Sequence, residues 1–189
     1  MSPGARHFSA DRMRRVVDPE QSARIGDPGA RELLRDVGLP VEAMKIFRLS
    51  EDFPAGPRTW AQQREVDPGA IAAEFTPERG DWLLLGKLLS SDVALDPADG
   101  RVYRLPEVGG EPTVVNRSLE AFLGFLCAFD EAAQACDSIE GPSVDDYADF
   151  AGKLGRELED RLRAIDPDAL DDPEEVWENA LFEISEGMW

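Results

Sequence analysis

Four β-type segments that follow one another closely between residues 82 and 116 constrain the fold of this chain more than any other feature. They are WLLLGKLL at 82–89, DVALD at 92–96, RVYRL at 101–105 and TVVN at 113–116. The turn-forming runs between them are SSD at 90–92, PADG at 97–100 and EVGGEP at 107–112. Strands that succeed one another through such short turns pair with their sequence neighbours. The sequence therefore predicts an antiparallel meander.

The hydrophobic period changes after residue 117. Apolar side chains then recur at intervals of three and four: Leu119, Phe122, Leu123, Leu126, Phe129 and Ala133. This spacing predicts an amphipathic helix that Ser118 caps and that runs to about Cys136. A second helix is predicted from Ser143 to Ile165, and a third begins at Asp172.

The segments before the meander carry weaker signals. Asp27 and Pro28 open a short helix that Gly38 ends, and residues 44–49 alternate as a half-buried strand does. Residues 51–68 hold three prolines and are typical of a loop. Because strands and helices come in blocks, the predicted class is α+β, with helices packed on one face of the sheet.

The first 26 residues differ from the rest. They are rich in Arg, Ser, Asp and Gly and show no sustained hydrophobic period, which predicts a mobile arm over residues 1–26. A total length of 189 residues suits one domain with a sizeable core, and we assign that single domain to residues 27–189.

The charge of the chain is large and unevenly distributed. The net charge is −19, yet residues 1–64 carry 11 Lys/Arg and 9 Asp/Glu, whereas residues 65–189 carry 9 and 30. Nucleic acid and anionic membranes are therefore unfavourable partners, and a basic protein is favoured. A proteome that uses acidic surfaces for solubility would produce the same charge, so composition alone leaves both interpretations open.

The two cysteines and the terminal residues indicate a compartment. Cys127 and Cys136 lie nine residues apart on one predicted helix, about 900° of rotation, so they face opposite directions and cannot pair. Unpaired thiols are typical of reducing compartments. No apolar stretch follows the basic residues of the first 21 positions, and no later run approaches the ~18 apolar residues of a membrane span. We expect a cytoplasmic protein.

Catalytic signals are sparse. The only histidine, His7, falls in the predicted arm, so no histidine-dependent triad or zinc site can be built in the predicted domain. Carboxylates are then the abundant catalytic groups, and a small carboxylate-dependent hydrolase or metal-dependent enzyme is the alternative. The pairs Asp145-Asp146 and Asp171-Asp172 stand at helix starts, where they favour the helix dipole. We expect no catalytic residue, no metal and no cofactor.

Three segments in a fixed order resemble one family of binding proteins. They are Leu85-Gly86, VALDPADGRV at 93–102 and VNRSLEAFLGFL at 115–126. Their order and spacing resemble the SUKH (SMI/KNR-type) superfamily of immunity proteins, most closely its fourth family. The resemblance rests on Asp96, Gly100, Val102, Asn116, Ser118, Leu119 and Phe122, with VGLP at 37–40 and DPEEVW…EI…G at 172–187 as the ends. Arg117 departs from the family pattern, where a small or polar residue is common.

The resemblance implies a SUKH-like fold and a function in binding. SUKH proteins neutralise bacterial toxins that are encoded beside them, frequently nucleases or nucleic-acid deaminases. Such toxins bind anionic substrates and so present basic surfaces, which an acidic inhibitor can cover. We expect a stoichiometric complex with a basic cognate toxin, and no nucleic-acid or membrane partner. The oligomeric state, and an unlinked scaffold of the same fold, stay open. The predicted contacts are acids in the sheet turns: Asp92, Asp96, Asp99, Glu107 and Glu111.

Overall fold

An antiparallel sheet lies at the centre of the structure, a computed structural model that describes residues 7–138, 144–171 and 176–186. The strands of the described residues are β1 (Met13–Arg14), β2 (Leu39–Pro40), β3 (Glu42–Ala43), β4 (Phe47–Leu49), β5 (Leu83–Leu88), β6 (Ser91–Leu95), β7 (Val102–Leu105) and β8 (Thr113–Asn116). β1 and β2 pair with each other, and β3 to β8 form one sheet in which every strand is antiparallel to the next. The predicted meander is confirmed.

Six α-helices accompany the strands in the described residues. They are α1 (Pro19–Ala23), α2 (Pro28–Glu32), α3 (Trp60–Val66), α4 (Leu119–Asp137), α5 (Val144–Ile165) and α6 (Val176–Ser185). The predicted caps Asp27 and Ser118 are confirmed, since their side chains accept the backbone N–H groups of Ala30 and Ala121. The predicted helix starts at Ser143 and Asp172 lie outside the described residues. Within the described ranges, no helix is long and apolar enough to cross a bilayer.

The main core lies between α4 and the inner face of the sheet. α4 is buried almost all round, because the sheet covers one side and α5 and α6 cover the other. Aromatic rings fill the centre: Phe47 meets Phe122 edge-on, and Trp177 of α6 stacks on Phe129 at 5.4 Å. Burial of one such ring contributes roughly 2–3 kcal/mol. The α+β class is confirmed. The long helices α4, α5 and α6 lie on the inner side of the sheet, whereas α3 packs on its outer face.

A second, smaller core lies on the outer face of the sheet. Trp60, Ile71, Ala73 and Trp82 pack there against Ala94 of β6 and Leu105 of β7. The loop expected over residues 51–68 is thus wrong for part of its length. Thr59 and Gln62 form a reciprocal capping box that begins α3 and places Trp60 against the sheet.

The N-terminal segment differs from the expected mobile arm over residues 7–26. Phe8, Val16 and Ile25 are buried in the main core, and β1 pairs with β2. The physical reason is that isolated apolar side chains on an irregular chain fill gaps in a core without producing a hydrophobic period. Whether the single domain is bounded at residue 27 stays a prediction.

Both cysteines are buried, unpaired residues of α4. Burial, and after it the neighbouring carboxylate of Glu131, raises the pKa of the Cys127 thiol to about 12. Burial also raises the pKa of Cys136. Since the thiolate is the reactive form, neither thiol is activated in the folded protein.

We expect the folded protein to resist thiol-specific reagents at mildly alkaline pH. Ellman's reagent should label both cysteines promptly in concentrated guanidinium and neither of them on the same timescale in native buffer. Absorbance of the released chromophore measures the reaction. Rapid labelling of Cys127 in the native protein would contradict the burial described here.

Candidate functional site

The meander separates the five predicted contact acids into two groups at opposite ends of the sheet. β5 and β7 run in the same direction, so the β5–β6 turn and the β7–β8 loop lie at one end, together with Asp92, Glu107 and Glu111. We call this the Glu107 end. Asp96 and Asp99 lie on the β6–β7 turn at the other end, the Asp96 end. β6, a strand of five residues, runs from one end to the other, so the two ends lie about 15 Å apart.

At the Asp96 end the acids build the turn itself. Asp96 accepts hydrogen bonds from Trp82 Nε1 at 3.0 Å and from the Ala98 backbone at 2.8 Å. Asp99 accepts the backbone N–H of Arg101 at 3.0 Å. These carboxylates therefore have structural partners, and their role as toxin contacts stays a prediction.

The Asp96 end also attaches the N-terminal segment. The backbone N–H groups of Gly26 and Asp27 donate to the carbonyl oxygen of Pro97 at 2.8 and 3.0 Å. Gly100, with φ of 78°, lies so close to α2 that a Cβ there would come within 2.8 Å of Asp27 Oδ1. Two positions of the family motif, Asp96 and Gly100, thus serve the packing of this turn.

At the Glu107 end two of the three acids have cationic partners in the chain. Asp92 pairs with Lys87 at 3.2 Å, and Glu111 pairs with Arg79. Glu107 is exposed and forms no ion pair with any described residue. It is the one predicted contact acid whose carboxylate has no hydrogen-bond or ion-pair partner among the described residues.

A buried carboxylate, Asp166, joins β8 to the C-terminal helices. Its side chain is 0% exposed and follows directly on the end of α5. It accepts three hydrogen bonds: from Arg117 Nε at 2.6 Å, from the Arg117 backbone at 2.8 Å and from Asn116 Nδ2 at 3.2 Å. The half-exposed Arg117 also reaches Asp168 at 3.1 Å. The departure of Arg117 from the family pattern thus has a local explanation in its pairing with Asp166.

Asn116 connects the same junction to α6. Its Oδ1 accepts the indole N–H of Trp177 at 3.2 Å, and that N–H also lies 3.3 Å from the Val115 carbonyl oxygen. Trp177 itself is 1% exposed. The side chain of Asn116 therefore bonds to the side chains of two residues distant in sequence, Trp177 and Asp166.

A second buried carboxylate, Asp130 of α4, holds the N-terminal segment. His7 Nε2 lies 2.7 Å from its Oδ2, and Gln134 donates to the same oxygen at 2.7 Å. The backbone N–H of Met44 donates to Oδ1 at 3.3 Å, and Arg12 lies 3.6 Å away. His7 also lies 3.3 Å from Glu131. Every side of Asp130 is therefore satisfied by partners from within the chain.

Sequence reasoning missed both buried acids. A usable signal existed for Asp130, because it interrupts the apolar face between Phe129 and Ala133.

Among the residues that the structure describes, no group of three or more His, Cys, Asp or Glu side chains is arranged to hold a metal ion.

Comparison with protein families decides the relationship that the motifs suggested. The model of the SUKH-4 immunity protein family matches residues 5–183, nearly the whole chain. The chain belongs to the SUKH-4 immunity protein family. Comparisons with curated proteins and with solved structures gave no match. The SUKH-4 match begins at residue 5 and so includes residues 7–26, which pack on the core.

In this SUKH-4 protein the motif around residues 115–122 is a structural junction. Val115 and Phe122 belong to the main core, Ser118 caps α4, and Asn116 binds Trp177 and Asp166. The buried polar side chains at this junction therefore form hydrogen bonds with one another. The exposed turns and helix faces are then the parts of the protein that are available to a partner.

Proposed function

We propose that this SUKH-4 protein neutralises a cognate bacterial toxin in the cytoplasm by forming a stoichiometric complex with a basic nuclease or deaminase domain. Membership of an immunity-protein family is the observation that carries the proposal. Family membership supports an immunity function, and the charge of the chain supports the basic character of the partner.

The distribution of charge over the C-terminal helices supports a basic partner. From Asp130 onward the chain carries 4 basic and 19 acidic residues. Most of the few cations there are already paired within the chain: Arg161 with Glu131, Arg163 with Glu159, and Lys153 with Glu157. The surplus of exposed carboxylates produces a negative field that attracts a basic domain and speeds the encounter.

Inhibition by this route needs no chemistry from the immunity protein. A toxin domain that cleaves or deaminates nucleic acid holds its substrate on a cationic surface. An acidic protein seated on that surface competes with the phosphate backbone for the same cations. No specific observation favours the carboxylate-dependent alternative, because Asp130 and Asp166 direct their oxygens at donors from the chain itself.

We expect this protein to form a 1:1 complex with the product of the neighbouring gene. Its association rate should fall by roughly tenfold or more when salt rises from about 50 to 200 mM, because long-range attraction is screened. Light scattering after size exclusion measures the stoichiometry, and stopped-flow fluorescence measures the rate. An unrelated protein of similar net charge is the control, and absence of a complex at low salt would contradict the proposal.

A further inference from the structure

Val108, at the tip of the β7–β8 loop, is 86% exposed, the highest value among the large apolar side chains of the described residues. The loop is held in place two residues further on, where the Glu74 backbone N–H donates to the Gly110 carbonyl oxygen at 2.7 Å. A single exposed valine needs no explanation by itself. Val108 becomes informative because a second exposed apolar side chain lies at the same end of the sheet.

Leu89, in the β5–β6 turn, is a second apolar side chain at the same end. It is 41% exposed and has φ of 52°, in the left-handed region. That conformation costs a leucine about 1–2 kcal/mol, and turns of this kind favour glycine or asparagine. A leucine here neither suits the turn nor fills the core. A strained backbone conformation of this kind indicates that the side chain has a function other than stabilising the fold.

The two apolar side chains can belong to one contact surface. The β5–β6 turn and the β7–β8 loop stand at the same end of the sheet, about two strand spacings or ~10 Å apart. One partner of a standard interface contributes roughly 800 Å², which covers both. Around them lie Asp92 and Glu111, which pair with Lys87 and Arg79, and Glu107, which has no ion pair among the described residues. Apolar groups are thus surrounded by polar and charged groups, the usual anatomy of a protein interface.

We propose that the Glu107 end is the surface that contacts the toxin, with Val108 and Leu89 as apolar anchors and Glu107 as the carboxylate that meets a toxin cation. This inference rests on the proposed function and deepens it. The partner is a basic domain with an apolar patch within its cationic surface. The Asp96 end is the poorer candidate because its carboxylates are bonded to Trp82, Ala98 and Arg101.

Two substitutions separate a binding role from a structural one. Leu89→Gly removes the side chain and suits the left-handed backbone, so the melting temperature should stay unchanged or rise while the dissociation constant increases by roughly tenfold. Val108→Arg places a bulky cation opposite a basic partner and should weaken binding by roughly tenfold or more. A third substitution, Glu107→Lys, should mainly slow association, which stopped-flow mixing measures.

Val17→Arg is the matched control. Val17 is 76% exposed, and it lies in the segment that leads from β1 to the opposite end of the sheet. Val17→Arg changes the net charge by the same amount as Val108→Arg, so a difference in binding between the two variants reports the position of the arginine rather than its charge.

The probe is the purified product of the neighbouring gene, titrated by calorimetry at low salt. Tight binding of the wild type and of Val17→Arg, with weak binding of Val108→Arg and Leu89→Gly, supports the Glu107 end. Equal binding by all four proteins would show that the Glu107 end does not contact the toxin, and it would leave the proposed function standing. Failure of the wild type to bind overturns the proposed function, and this surface with it.

Discussion

Replacing Asp166 with alanine is expected to destabilise the protein by about 3 kcal/mol. The substitution removes the acceptor of three hydrogen bonds at a position that is 0% exposed. Buried donors that lose their acceptor cost about 1–3 kcal/mol each, whereas the half-exposed Arg117 can turn to solvent. Since Asn116 loses one of its partners, the contact of Trp177 with β8 should loosen as well.

Asp168→Ala is the matched control for this prediction. Asp168 lies two residues away and pairs with the same Arg117, yet its side chain is 64% exposed. Exposed pairs contribute about 0–1 kcal/mol, so its loss should barely change stability. Urea denaturation followed by tryptophan fluorescence measures both variants. Equal midpoints for the two variants would show that the buried junction does not hold β8 to the C-terminal helices.

The sheet and α4 could be predicted because their signals are local. Apolar strand segments bounded by turn residues define β5 to β8, and a period of three and four behind a serine cap defines α4. α3 also carried a local signal. Thr59 and Gln62 stand in capping-box spacing, but the prolines around them favoured a loop.

The position of residues 7–26 could not be predicted in the same way. Phe8, Val16 and Ile25 follow no period, so only the assembled core shows that each has a gap to fill. The same limit applies to the buried acids. Asp130 meets a histidine 123 residues away and Asp166 meets an arginine 49 residues away, pairings that no local pattern contains.

The division of the predicted contact acids followed from information already in the sequence. Successive turns of an antiparallel meander alternate between its two ends, so the β6–β7 turn could not share a surface with the β5–β6 turn. What the sequence could not show is which carboxylates are already bonded. Asp96 is engaged by an indole 14 residues earlier, whereas Glu107 forms no ion pair with any described residue.

A glycine of the family motif, Gly86, is where we expect the second large effect. It lies at a bulge in β5, where Leu84 and Gly86 pair with consecutive residues of β6 and Leu85 has no partner. Its φ is 155°, and a Cβ there would overlap the Arg48 carbonyl oxygen and lie 2.9 Å from the Ser50 nitrogen. Both atoms belong to backbone, which cannot move aside as the end of a side chain can.

Gly86→Ala should therefore push β4 away from β5 and destabilise the protein by about 4 kcal/mol or more, the range of severe single substitutions. Gly69→Ala is the matched control, because a Cβ at Gly69 meets nothing closer than Asp67 Oδ1 at 3.7 Å. It should leave the melting temperature nearly unchanged or raise it slightly. Calorimetry measures both variants. If Gly86→Ala melted like Gly69→Ala, the close approach of β4 to β5 would not explain why the motif has glycine at this position.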